Sequence, residues 1–106
     1  MTCVSGGSSF NYSVFVLQDL KRYKEALAAF DKAIRTDPTD ATAYNGKGLA
    51  LYSLKRYEEA LDAFDLAIDH KPDYATAHKN RGSALEGLGR LEGAKRAYKR
   101  ALQLES

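Results

Sequence analysis

The sequence predicts an all-α protein, a stack of three antiparallel helix hairpins with six helices in all. Three observations predict it. LKRYKEALAAFDKAI, from Leu20 to Ile34, returns 34 residues later as LKRYEEALDAFDLAI, from Leu54 to Ile68, and again as LGRLEGAKRAYKRAL, from Leu88 to Leu102. Between Leu20–Ala43 and Leu54–Ala77, 16 of 24 positions are identical. Within each copy the apolar residues recur at helical spacing, and Pro38 and Pro72 mark the breaks between units. A fixed period of tens of residues belongs to units that pack on their neighbours rather than around one central core.

The elements follow in order. MTCVSGGSS has neither the basic residues nor the apolar stretch of a signal peptide, so residues 1–8 are expected to be a flexible leader before a domain over 9–106. The units fall at about 7–40, 41–74 and 75–106, and the helices at 9–20, 24–36, 40–53, 58–70, 74–87 and 92–104. FNYSVFVL in the first helix is rich in β-branched and aromatic residues, which lowers its intrinsic helix preference. In the fourth, Ala60, Phe64 and Ala67 fall at i, i+4 and i+7, with Leu61 and Ile68 beside them and Glu58, Glu59, Asp62, Asp65 and Asp69 opposite. That is one apolar stripe. SLKRY between the third and fourth helices is too short for anything but an antiparallel return.

Asp37-Pro38-Thr39 and Lys71-Pro72-Asp73 separate the units, since proline lacks an N–H and disfavours helix for the residue before it. Thr39 and Asp73 are expected to cap the helices that follow. Gly48 and Ala60, and likewise Gly82 and Ala94, place small residues where paired helices come close. Phe30, Phe64 and Tyr98 supply bulk.

Composition excludes several classes. With 44% apolar and 28% charged residues, the 106-residue chain can form a core and is not globally disordered. A net charge of +2 does not by itself indicate nucleic acid or membrane. The near-apolar run Val14–Leu17 is far short of the roughly 20 residues that span a bilayer. Cys3 is the one cysteine, so no internal disulfide forms, and a cytoplasmic, reducing setting is expected.

These residues resemble the tetratricopeptide repeat. Gly48, Ala60, Phe64, Ala67 and Pro72 carry the resemblance in the second unit, with Tyr44 where the pattern has Trp. Gly82, Leu88-Gly89, Ala94, Tyr98 and Ala101 carry it in the third, and Tyr23, Ala26, Phe30, Ala33 and Pro38 in the first. The resemblance implies a right-handed α-solenoid that binds a protein or peptide segment along a concave groove lined by the first helix of each unit. By that analogy the groove positions are Asn11, Phe15 and Gln18, then Asn45, Leu49 and Tyr52, then Lys79, Ser83 and Glu86. Asn11, Phe15, Asn45, Leu49, Tyr52, Lys79 and Ser83 are the expected peptide-binding residues.

Two departures mark the ends. Val14 stands where Gly48 and Gly82 stand, and Lys95 replaces Leu27 and Leu61. A third departure concerns the branch of the family that grips chaperone C-terminal carboxylates. That branch would carry Lys, Asn, Asn, Lys and Arg at Asn11, Phe15, Gly46, Thr76 and Asn80, and none matches. Without those cations two carboxylates are not balanced, so this chain is not expected to be of the carboxylate-clamp type.

The sequence offers no catalytic constellation, and neither an enzyme nor a cofactor is expected. His70 and His78 lack the i, i+4 spacing of paired metal ligands. The glycines of GSALEGLGRLEG follow no strand and end in no Gly-Lys-Ser/Thr. Lys95, Arg96, Lys99 and Arg100 form a basic strip, but an RNA-reading repeat needs recurrent reading positions in every unit, which the first two units lack. The strip reads as a solvated end face. The alternative to groove binding is self-association through an uncapped terminal helix, as a homo-dimer or as a piece of a longer repeat protein.

Overall fold

The structure, a computed structural model, describes residues 20–106. Five helices are present among them: α1 over 20–36, α2 Ala41–Ser53, α3 Tyr57–His70, α4 Ala75–Gly87 and α5 Leu91–Glu105. No strand occurs among the described residues. The expected leader 1–8 and the expected first helix 9–20, save its last residue, lie outside them, as do Asn11, Val14 and Phe15. From α2 onward each helix begins and ends within one residue of the expected bounds.

α2 with α3 and α4 with α5 form the two complete hairpins, and α3 packs against α4 where they meet. The core runs continuously through both, including Leu51, Ala60, Leu61 and Phe64 from the first and Ala84, Leu85, Ala94 and Ala97 from the second. Alanines dominate because helix backbones must approach closely around two large groups, Phe64 and Leu51, which are fully buried. Gly48 lies directly beneath the Phe64 ring, where a Cβ would collide with it. Gly82 lies beneath Tyr98 in the same way, with a Cβ standing 2.8 Å from that ring.

The turn closing each hairpin is the same motif built from different residues. After α2, the Arg56 N–H donates to Leu51 O and the Lys55 N–H to Tyr52 O, both at 2.9 Å. After α4, Arg90 N–H donates to Leu85 O at 2.8 Å and Gly89 N–H to Glu86 O at 2.9 Å. This pair of bonds satisfies the last free carbonyls of a helix and requires one residue in the left-handed region. Lys55 fills it at φ 63° and Gly89 at φ 77°.

Three sequence expectations need correction. A break over 21–23 was expected to match SLKRY, yet α1 is helical through Lys21 and Arg22. The tetrapeptide LKRY is common to both places, so the left-handed turn at Lys55 is imposed by the packing of α2 on α3 and not by local preference. Thr39 does not cap α2. The cap is Asp40, whose carboxylate accepts from Thr42 N–H at 3.0 Å and Ala43 N–H at 3.4 Å. Thr39 instead donates its N–H and hydroxyl to Asp37, at 3.1 and 2.7 Å, and those bonds hold the Asp37 carboxyl below its ordinary range. Nor does Asp73 cap α4: the residue before that helix is Tyr74, and no side chain caps it.

Candidate functional site

The first helices of the second and third units, α2 and α4, lie side by side and are tied by side chains. Asn80 Nδ2 donates to Asn45 Oδ1 at 3.0 Å, and Asn45 Nδ2 donates to the Tyr74 hydroxyl at 3.5 Å. Asn45 is only 6% exposed. The sequence counts it among the expected peptide-binding residues, and in the structure its amide is engaged in the seam between units. A buried amide must find such partners, and the helix one unit later supplies them.

The remaining expected residues divide between two places. Leu49 and Tyr52 lie on α2, with Leu49 42% exposed and Tyr52 half-buried, its ring 5.3 Å from that of Tyr57. One period later Ser83 and Glu86 lie on α4 around the Tyr98 hydroxyl, which bonds Ser83 Oγ at 3.1 Å and donates to Glu86 Oε1 at 2.5 Å. Burial, and then the bond to Glu86, pushes the Tyr98 phenol above its ordinary value, so at neutral pH it remains a neutral donor. Lys79 lies one turn before Ser83, whose Oγ donates to its carbonyl at 3.5 Å, and is exposed beside a hollow of about 220 Å³ lined also by Tyr98, Ala101, Leu102 and Glu105. The α2–α4 face therefore presents an apolar half at Leu49 and Tyr52 and a hydroxyl-and-carboxylate half at Ser83 and Glu86.

A second hollow of about 220 Å³ lies between α1 and α2, lined by Tyr23, Ala26, Phe30, Gly46, Leu49, Ala50 and Ser53. By the period, Tyr23, Ala26 and Phe30 are the counterparts of Tyr57, Ala60 and Phe64, on the face that α2 covers in the next hairpin. By the period the hollow falls where the sequence assigns the helix expected over 9–20, and Leu49 borders both it and the α2–α4 face. Gly46 lies under the Phe30 ring, so a side chain at 46 would displace that ring.

Several side-chain bonds escaped the sequence reading although the period carries them. Lys47 pairs with Asp31 at 2.9 Å and Arg81 with Asp65 at 2.5 Å, the same seam contact 34 residues apart. The Tyr44 hydroxyl donates to Pro38 O at 2.9 Å, and His78 Nε2 lies 2.9 Å from Pro72 O. Because a carbonyl only accepts, Nε2 carries the hydrogen. His78 thus takes over the bond of Tyr44 as well as its packing place. His70 stacks on Tyr44, with centroids 5.3 Å apart. Listing polar residues that recur at 34 and asking which face a neighbouring helix would have found the seam pairs. Among the described residues no group of His, Cys, Asp and Glu is placed to hold a metal ion. None of the described helices is long and apolar enough to cross a membrane.

Comparison with known proteins agrees with the geometry. Models of the tetratricopeptide repeat match residues 16–75 and 75–106, and the chain belongs to the tetratricopeptide repeat family. Among solved structures it is similar to the second TPR of Spaghetti (RPAP3) bound to the HSP90 peptide SRMEEVD, with 29% identity and a TM-score of 0.76 over 77% of this chain and 76% of that one. The first TPR domain of human RPAP3 gives 32% identity and a TM-score of 0.78, over 80% of this chain and 67% of that one. MamA gives 31% identity and a TM-score of 0.75 over 79% of this chain, which spans about half of MamA, 49%. No curated protein sequence matches the chain.

Proposed function

We propose that the chain is a protein-interaction module whose α2–α4 face takes an extended partner segment, with apolar side chains against Leu49 and Tyr52 and polar groups toward Ser83 and Glu86. The observation that carries this reading is the exposed Leu49 beside the half-buried Tyr52, on the helix that in this family faces the ligand. The peptide-bound Spaghetti domain supports binding of a peptide by a domain of this fold.

The chemistry of the segment differs from that of SRMEEVD. Of the places where a carboxylate-gripping relative would carry Asn, Lys and Arg, Gly46 has no side chain, Thr76 is neutral and Asn80 is bonded to Asn45. Glu86 adds a negative charge to the same face. An acidic C-terminal tail therefore meets no matched cation pair, and an apolar segment without a terminal carboxylate is the better fit.

The test is affinity capture with quantitative mass spectrometry, comparing the chain with Leu49→Asp. The expected result is a partner retained at least tenfold less by the variant, at unchanged helicity by circular dichroism. Equal retention would place binding elsewhere. Titration of labelled SRMEEVD peptide is expected to show no saturation in the micromolar range, and tight binding would overturn the stated chemistry.

A further inference from the structure

The seam between the α2–α3 and α4–α5 hairpins is made by a small set of positions. Tyr57 lies against Gly87, where a Cβ would stand 2.8 Å from its ring. Leu61 shares the core cluster with Leu85. Asp65 accepts from Arg81, Ile68 lines a hollow with His78, and Asn45 of α2 accepts from Asn80. Moving each position by one period gives Leu91, Lys95, Lys99 and Leu102 on α5, and Lys79 on α4.

No described helix covers that second face. Leu91 is 59% and Leu102 65% exposed, the two highest values among the described large apolar residues. The hollow between α4 and α5 opens there, beside Lys79 and Leu102. The apolar ends of the seam are retained, and its middle is changed in one direction. An amide, a leucine and a carboxylate have each become an ammonium. Among the described residues neither Lys79 nor Lys99 has a carboxylate within 4.0 Å, and Lys95 has only its exposed neighbour Glu92 at 3.8 Å. An exposed pair of that kind holds a side chain weakly.

In the two seams present, the residue opposite Asp31 and Asp65 is a cation, Lys47 and Arg81. A further unit of the same kind would bring a cation to Lys99. The face therefore repels a unit like those it follows and attracts a helix with the opposite charge. We infer that the α4–α5 face docks an acidic amphipathic helix of a partner protein, apolar at i and i+10 and carboxylate at i+2, i+3 and i+7. These spacings are those of His78, Asn80, Arg81 and Leu85 of α4 and of Leu88 at its C-cap, which packs against the same core cluster. The apolar ends meet Leu102 and Leu91, and the carboxylates meet Lys79, Lys99 and Lys95.

A second copy of this chain is the poorer occupant. Its carboxylate pairs at i, i+4 are Glu58 with Asp62, Asp65 with Asp69 and Asp69 with Asp73. The first two are flanked by Lys55 and Asp65, and by Asp62 and Pro72, instead of apolar residues. The third crosses the break between α3 and α4.

The probe is an acetylated, amidated alanine-based helical peptide with Leu, Glu, Glu, Glu and Leu at i, i+2, i+3, i+7 and i+10, followed by fluorescence anisotropy. Saturable binding is expected, weakening as salt rises and at least tenfold weaker for K95E/K99E. A peptide with Lys for each Glu is expected to bind that variant and not the unaltered chain. Amide shifts should move along residues 91–102 and not around Leu49, so failure here and failure of the groove reading are separable. Equal binding by K95E/K99E, or shifts confined to α2, would overturn the proposal. So would a dimer formed through α5 that the acidic peptide does not dissociate.

Discussion

Phe64 on Gly48 and Tyr98 on Gly82 occupy the same place in the period, yet the two rings differ in what surrounds them. Phe64 is enclosed on every side because α4 covers the face that α2 leaves open. Tyr98 is only half-buried, and its hydroxyl is shared between Ser83 and Glu86. One hairpin is core because its neighbour makes it so, while the other keeps the same geometry with a polar tip. The period specifies where the ring goes. The neighbouring unit decides how much it stabilises.

The largest expected effect tests that difference directly. Phe64→Ala should cost about 3–5 kcal/mol, the range for an aromatic removed from a closed core, and Tyr98→Ala less than half as much, read from urea midpoints. Equal losses would erase the distinction between the hairpins. Gly48→Ala comes next. Its Cβ has no room beneath an enclosed ring, so overpacking of about 1–3 kcal/mol outweighs the helix preference of alanine. Gly82→Ala should cost less than Gly48→Ala, because the Tyr98 ring can shift outward.

Smaller effects sharpen the comparison at the helix ends. Asp40→Ala removes the one side-chain cap among α2–α5 and should cost about 1 kcal/mol. The closing turns predict opposite signs. Gly89→Ala forces a Cβ into the left-handed region and should cost about 1 kcal/mol, whereas Lys55→Gly relieves the same conformation and should add about 0.5 kcal/mol. Thermal midpoints of the two variants moving in the same direction would show that the turns are not equivalent.

The two turns also show how far sequence carries the fold. The helical stripes around Phe64 and Tyr98, the short return at SLKRY and the prolines at 38 and 72 located α2 to α5 within a residue. Adjacent Thr39 and Asp40 can both cap a helix, and local chemistry did not choose between them. LKRY is helical in one unit and turned in the next, so only contact with a packed partner helix distinguishes Lys21 from Lys55. For the candidate site, Leu49, Tyr52 and Ser83 lie on the helices the resemblance indicated. The bond between Asn45 and Asn80 was not legible, because a single unit shows Asn45 alone and only the adjoining α4 brings Asn80 against it.

The seam contacts bear on insertions and deletions. Asp31 reaches Lys47 and Asp65 reaches Arg81 across an identical stretch of chain, while Asn45 reaches Asn80 one turn of the stack away. Removing one residue from the loop at 71–74 leaves α4 only two adjustments, a rotation of about 100° or a slide of about 1.5 Å along its axis. Either takes Arg81 off Asp65 and Asn80 off Asn45 together. Side chains can be exchanged one at a time in this architecture, whereas a change in loop length dislocates every later unit at once. The spacing of 34 is thus held by the meshing of neighbours, as the pitch of a gear is held by the gear it turns.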